Sequence, residues 1–378
     1  MMIQLWSRKP SRWVCCRSQQ LWPAWDWPRK FISHEGLILS PNILIACCRA
    51  LIILIGIGII ATYTGYVYGQ FKLRYPHVTS MADAGEVLMG AFGRELLGVT
   101  QVLFIIFFMA SHLVTFTTAF NVLTNHGTCS IVFGVVGLVV SLICSLPRTL
   151  KNVSWLSMAS FTSIVSAIVI CMIGLGVQYP AGKPVKATVD TDLVTAFSAV
   201  LNIIFAYIGH VAYFGIMAEL KDPRDFPKAL CLLQSLDIVI YIVTAVVIYR
   251  YAGDGVGSPA LGSTNPVLQK VAYGIALPTI VIAGVVFGHV GCKYIYLRIF
   301  QGTDRMHKRD FVATGSWIAI AIVMWVIAWI IAEAVPVFSN ILSLIVRFFL
   351  LFSFFNPPGL MLTDACRVHY LEAGLAVS

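Results

Sequence analysis

The sequence predicts an all-α integral membrane protein of about ten transmembrane helices, and three observations carry that expectation. The first is composition. Of the 378 residues 58% are hydrophobic and 11% charged, and the mean hydropathy is +0.85. A soluble domain carries roughly 25% charged residues, so this chain has too few polar groups to face water on every side. The second is the length of the apolar runs, which repeatedly reach the roughly 20 residues that cross a hydrocarbon core. The third is their texture. They are continuous rather than alternating, which excludes a closed β-barrel.

Windows of that length give spans at residues 51–68, 96–120, 129–146, 155–177, 193–217, 229–249, 271–295, 312–331 and 337–355. A tenth segment, 37–47, is apolar but short and contains Ser40-Pro41. The Lys and Arg residues alternate from loop to loop. The loops after residues 68, 146, 217 and 295, together with Lys293 at the end of the 271–295 span, carry 13 of them, from Lys72 to Arg309, and the intervening loops carry four, Lys183, Lys186, Arg250 and Lys270. The positive-inside rule makes the first set cytoplasmic. Six Lys/Arg precede residue 31. That basic start also prefers the cytoplasm, which agrees with the rest only if 37–47 crosses as well. No clean apolar core follows Arg8, Lys9, Arg12 and Arg17, so the start is not a signal peptide. The sequon at Asn152 then faces the cytoplasm and carries no glycan. The chain divides into a basic segment 1–35, a membrane domain 36–356 and a polar tail 357–378.

Net charge +9 and a pI near 9.1 could suggest nucleic acid, but the charges sit in short clusters between apolar runs and form no basic face with interleaved aromatics. No nucleic-acid partner is expected. The ten cysteines fall mostly inside apolar segments without metal spacing and are expected to pack between helices. The sequence has no nucleophile elbow, phosphate loop or paired catalytic carboxylate, so it predicts neither an enzyme nor a bound cofactor.

Inside lipid a break in a helix is tolerated only beside protein or water, and such a break lets half-helix ends present amides and carbonyls to a ligand near the midplane. Paired breaks at matching positions of two repeats are the sequence pointer. With 37–47 counted as the first, ten spans split into two sets of five, and the first span of each set is interrupted. The interruptions fall at Gly36–Pro41 and at Ala206-Tyr207-Ile208-Gly209-His210.

The stretch Phe205–Phe214, followed by Glu219-Leu220-Lys221-Asp222-Pro223-Arg224-Asp225-Phe226-Pro227-Lys228, resembles the fungal branch of the amino acid/auxin permease family. Further stretches agree: Ala61–Tyr66, Arg74–His77, Met81–Gly85, Val247–Gly253 and Gly288–Tyr296. The chain is especially similar to fungal neutral amino-acid permeases, from about residue 36 to 355. The resemblance implies an inverted five-plus-five helix repeat and symport of amino acids driven by the proton gradient. Ala206, Tyr207 and Gly209 would then offer backbone groups to the substrate, with Gly36 and Ser40 as their first-span counterparts. The ends depart from the family: 22–30 is not apolar enough to cross, and no span follows residue 355. The first and last helices are therefore expected to be truncated or replaced.

Four side chains carry further candidate roles. Asp237 lies inside a span, where an unpaired ionisable group costs at least a few kcal/mol, and is a candidate for proton coupling or a packing hydrogen bond. His210 adjoins the break and titrates near physiological pH, which suits a substrate contact or a bond across helices. His289 is a weaker coupling candidate. His112 is expected to make an interhelical contact. The function expected is secondary active transport of amino acids, neutral ones foremost, across the plasma membrane or, second, the vacuolar membrane. The alternative is a non-transporting amino-acid sensor or a defective truncated paralogue.

Overall fold

The computed structural model describes residues 41–147, 153–179, 193–253, 256, 259–300, 311–335 and 344–346. Within them the chain is helical throughout, in the order α1 (Pro41–Arg74), α2 (Met81–Thr124), α3 (Ser130–Ser145), α4 (Val153–Gln178), α5 (Leu193–Ala206), α6 (His210–Glu219), α7 (Phe226–Ala252), α8 (Pro266–Ile299) and α9 (Phe311–Ala334). Seven stretches are long and apolar enough to cross a membrane, with α5 and α6 together forming one of them, and α3 is a shorter apolar helix. The expected short first span, with Gly36 and Ser40, and most of the last span at 337–355 lie outside the described residues.

The helix ends have local causes. α1 stops where Lys72, itself buried, gives its ammonium to the carbonyls of Pro76 at 2.7 Å and Val78 at 2.5 Å. α2 begins with a capping box: the Ser80 hydroxyl accepts from the Asp83 amide, and the Asp83 carboxylate accepts from the Ser80 amide. This start lies well before residue 96, where hydropathy alone puts the span. The extra turns bend back at Gly90, whose φ of 68° and ψ of −155° suit glycine. A Cβ on Gly85 would stand 2.5 Å from the Gly93 carbonyl oxygen, so the two arms of the bend touch backbone to backbone. The loop from Lys221 to Lys228 is short and solvated: Asp222 caps a 3₁₀ turn at Pro223–Asp225, and Asp225 pairs with Lys228 at 2.9 Å.

The helices pack as two groups. α2, α3, α4, α8 and α9 make the most extensive contacts, with α8 touching all the others, and α1, α5, α6 and α7 form the second group. The first is centred on Phe104, Met109, Trp317 and Trp325. The Trp325 indole donates to the Ser145 hydroxyl at 2.9 Å, which ties α9 to the end of α3. The second is centred on Tyr68, Phe71, Phe214 and Phe226. Between the groups run contacts of α4 with α7 and of α2 with α6. Large apolar side chains such as Ile52, Ile59, Leu232 and Val239 stay exposed on the outer faces, as lipid requires. Cysteines 144, 171, 231 and 292 are free thiols in or beside helices, whereas Cys129 at the start of α3 is disulfide-bonded, a role its position in the sequence did not suggest.

α8 contains Pro278, which removes one backbone donor from the helix ladder. α4 is bonded to α8 beside it: Ser163 Oγ donates to the Ile275 carbonyl at 2.5 Å, and Thr279 Oγ1 donates to the Ser160 carbonyl at 2.6 Å. Ser163→Ala is expected to destabilise the protein by about 1 kcal/mol, the usual range for hydrogen bonds between membrane helices. The melting temperature of the detergent-purified protein measures this, and an unchanged value would show that the bond carries no stability.

Candidate functional site

α5 ends at Ala206 and α6 begins at His210, so Tyr207, Ile208 and Gly209 interrupt a span that runs from Ala196 to Glu219. The last turn of α5 tightens, with Tyr207 N–H to Ile204 C=O at 3.0 Å and Ile208 N–H to Phe205 C=O at 3.2 Å. The chain then reverses through Gly209 N–H to Tyr207 C=O at 3.0 Å. Glycine is needed here for space: a Cβ at 209 would meet the Tyr213 ring at 2.9 Å.

Neighbouring helices hold the break. Tyr241 of α7 donates its hydroxyl to the Ala206 carbonyl at 2.9 Å, which satisfies an acceptor that the end of α5 leaves open. The rings of Tyr207 and Tyr241 meet edge to face at 5.4 Å. The Tyr207 hydroxyl is buried against α1 without a hydrogen-bond partner. It can approach only because residue 58 is glycine: a Cβ there would lie 3.1 Å from the hydroxyl and 2.8 Å from Ile238 of α7. Gly58 is thus a point of close helix packing.

His210 opens α6 and is buried. Its Nε2 lies 2.7 Å from Thr64 Oγ1 and 3.2 Å from the Ala61 carbonyl on α1. A carbonyl only accepts, so Nε2 bears the proton in this arrangement. The Thr64 hydroxyl accepts from the ring and donates within its own helix, to Ile60 or Ala61. The His210 ring also touches Tyr68 at 5.6 Å and Tyr213 at 5.0 Å between centroids.

On α7, Gln234 is buried and hydrogen-bonds Tyr213, while its amide oxygen has no partner. One turn further on is Asp237, half-buried and midway along its span. Tyr207, Tyr213 and Tyr241 all lie within its electrostatic reach.

The structure therefore brings Ala206, Tyr207, Gly209, His210 and Asp237 together, and Gly36 and Ser40 lie outside the described residues. His289 stands elsewhere. It reaches the Pro147 carbonyl at 3.2 Å and packs on Trp317, within the group of α3, α8 and α9. His112 hydrogen-bonds the backbone of Ile280 across helices, the interhelical contact expected of it. Sequence reasoning missed Thr64, Gln234 and Tyr241. Tyr241 had a signal, since it follows Asp237 by four residues and shares its helix face. Thr64 lay in a motif already noted, but nothing in that motif says which helix it meets.

Comparison with known proteins adds an independent finding. Residues 48–371 match the family described as transmembrane amino acid transporter protein. The chain is 36% identical over 317 residues to the N amino acid transport system protein of Neurospora crassa, an alignment that covers 81% of this chain and 67% of that relative. It is 31% identical over 303 residues to a transmembrane transporter of Fusarium pseudograminearum, covering 77% of this chain and 63% of the relative. Amino acid transporter AVT1D of Arabidopsis thaliana is 25% identical over 216 residues, 54% of this chain and 39% of the relative. The chain thus spans about two thirds of the length of the fungal relatives it matches.

The bond between His210 and Thr64 joins the break to α1, so the two side chains should be energetically coupled. A cycle of His210→Gln, Thr64→Val and the double variant is expected to give a coupling energy of about 1 kcal/mol, within the range for residues in direct contact. Thermal unfolding in detergent reads it, and strictly additive effects would show that the contact holds nothing together.

Proposed function

The chain belongs to the transmembrane amino acid transporter protein family, and from that premise we propose that it is a secondary active transporter that carries amino acids by proton symport. Neutral amino acids are its foremost substrates. The plasma membrane is the first location to examine and the vacuolar membrane the second. The observation that carries this reading is the interrupted helix at Tyr207–Gly209, in the middle of a span and walled by other helices.

An α-amino acid is a zwitterion, and a broken helix suits it. The carbonyl end of α5 carries partial negative charge and the amide end of α6 partial positive charge. Ammonium and carboxylate can therefore both be met without burying a full charge. On this reading Ala206, Tyr207 and Gly209 contact the substrate through their backbones, and His210 fixes the start of α6 beside them. Gly36 and Ser40 supply the matching first-span contacts. The architecture proposed is ten helices in a five-plus-five inverted repeat over residues 36–356, with residues 1–35 in the cytoplasm and a polar tail at 357–378. The N amino acid transport system protein of Neurospora crassa, to which the chain is similar, supports the substrate class.

The test is uptake of a mixture of radiolabelled neutral amino acids by cells that express the full chain and display it at the surface. Greater uptake from acidic than from neutral medium, abolished by a protonophore, is the expected result. Binding without uptake would favour a sensor instead. Gly209→Val fills the space beside Tyr213 and is expected to lower uptake at least about tenfold at unchanged surface level, since misplacing a binding group by an ångström has effects of that size or larger. Normal uptake by this variant would remove the break from the transport path.

A further inference from the structure

We infer that Asp237, beside the helix break and within electrostatic reach of Tyr207, Tyr213 and Tyr241, is the proton-carrying group of this protein. The inference rests on the symport reading above and deepens it, because it assigns the coupling step to one side chain and gives that side chain its surroundings.

Three observations converge on Asp237. It stands midway along the Pro223–Ala252 span, where an ionisable side chain marks a functional site by default. Among the described residues it makes no ion pair and no hydrogen bond: the ion pairs found are Arg94 with Glu86 and Glu95, Lys228 with Asp225, Lys293 with Glu219 and Arg298 with Glu95. Next to it, polar capacity is left unused, in the buried Tyr207 hydroxyl and the amide oxygen of buried Gln234.

The surroundings favour a proton as the charge that compensates it. The titratable groups that face Asp237 are Tyr207 and Tyr213 from the broken helix and Tyr241 from α7. Beyond Tyr213 stands His210, whose Nε2 is engaged with Thr64 and Ala61. α4, which packs on α7, contains no Asp, Glu, Lys, Arg or His. The charged residues of α1 lie away from the contact between Gly58 and Ile238. Arg49 is nine residues before Gly58, Lys72 fourteen after it and Arg74 sixteen after it, or about 13 Å, about 21 Å and about 24 Å along a helix. The 3₁₀ turn that carries Arg224 and Asp225 is at the far end of α7. Among the described residues no cation faces Asp237, and a proton taken from the outer side and released to the inner one is the counter-charge the site can carry. The carboxylate becomes a neutral carboxylic acid and returns to carboxylate, with no other bond made or broken. Linkage to the break is short: Tyr241, one turn after Asp237 on α7, meets the Tyr207 ring and donates its hydroxyl to the Ala206 carbonyl.

The test uses the full chain in phospholipid vesicles with the same mixture of radiolabelled neutral amino acids and two readouts. One is accumulation driven by an inward proton gradient, which for one proton per substrate can reach about tenfold per pH unit. The other is exchange between preloaded and external amino acid at equal pH. The wild-type chain tests the symport reading itself, and failure to accumulate there would overturn that reading rather than the choice of residue. Given wild-type accumulation, Asp237→Asn, which mimics the protonated form, is expected to retain exchange and lose the gradient-driven accumulation. Full accumulation by Asp237→Asn would overturn the assignment. If Asp237→Asn loses both readouts, Asp237→Glu decides: accumulation restored supports the carboxyl as proton carrier, and accumulation still absent overturns it. Tyr207→Phe removes only the unused hydroxyl and is expected to shift the pH profile of accumulation by about one unit, while an unmoved profile would remove Tyr207 from the shell.

Discussion

A helix inside lipid can be interrupted only if the protein itself supplies partners for the backbone groups set free, and the arrangement around Tyr207–Gly209 follows from that constraint. Three local hydrogen bonds close the end of α5 and the turn after it. The carbonyl of Ala206 is taken by Tyr241, and the start of α6 is pinned to α1 through His210. Glycine at 58 and 209 makes room for the two tyrosine side chains that crowd the gap. Near Pro278, by contrast, the hydroxyls of Ser163 and Thr279 bridge α4 and α8. One site is bridged by a small hydroxyl from each of two helices. The other is walled by large side chains that carry polar groups of their own.

The polar groups divide accordingly. Lys72 is buried yet spends its donors on two carbonyls, and Trp325 spends its donor on Ser145. Such groups fix structure. Unused buried capacity also exists away from the break, in the side-chain oxygens of Gln101 and Asn121 on α2. A neutral amide oxygen left unpaired costs about 1–3 kcal/mol. What distinguishes the break is that its unused groups, on Tyr207 and Gln234, lie near a carboxylate, Asp237, and a carboxylate can change charge whereas an amide cannot. Placing that group on α7, outside the broken segment but against it, lets its charge state act on the break without occupying it.

Much of this was legible in the sequence. Continuous apolar runs marked the spans, and Gly209 with its flanking residues marked the break to within a residue of where α5 ends and α6 begins. The early start of α2 at Met81 escaped hydropathy because Asp83, Glu86, Arg94 and Glu95 dilute its first turns, although Ser80 and Asp83 stand at capping-box spacing. The bend at Gly90 gave no signal, since a lone glycine in a helix often has no consequence. The partner of His210 was out of reach for a different reason. Thr64 lies 146 residues earlier, and periodicity within one helix says which face is polar but not which helix will meet it. Asp237 could be singled out, because a charge in a span is rare, but its tyrosine shell is a tertiary fact.

The strongest polar ties lie within the two helix groups rather than between them. His210 with Thr64 and Tyr241 with Ala206 bind α1, α5, α6 and α7 to one another. Trp325 with Ser145, His289 with Pro147 and Ser163 with Ile275 bind α3, α4, α8 and α9. The ion pair that crosses between the groups, Glu219 of α6 with Lys293 of α8 at 2.6 Å, is exposed on both sides. Exposed ion pairs contribute about 0–1 kcal/mol, so breaking this one costs little, while the internal ties of Trp325 with Ser145 and of His210 with the Ala61 carbonyl are buried. Relative displacement of the groups therefore meets its main resistance in apolar contact, which is nondirectional and can slide. Movement within a group would have to break directional bonds beside the site. The distribution of hydrogen bonds thus lets the break keep its geometry while its surroundings move.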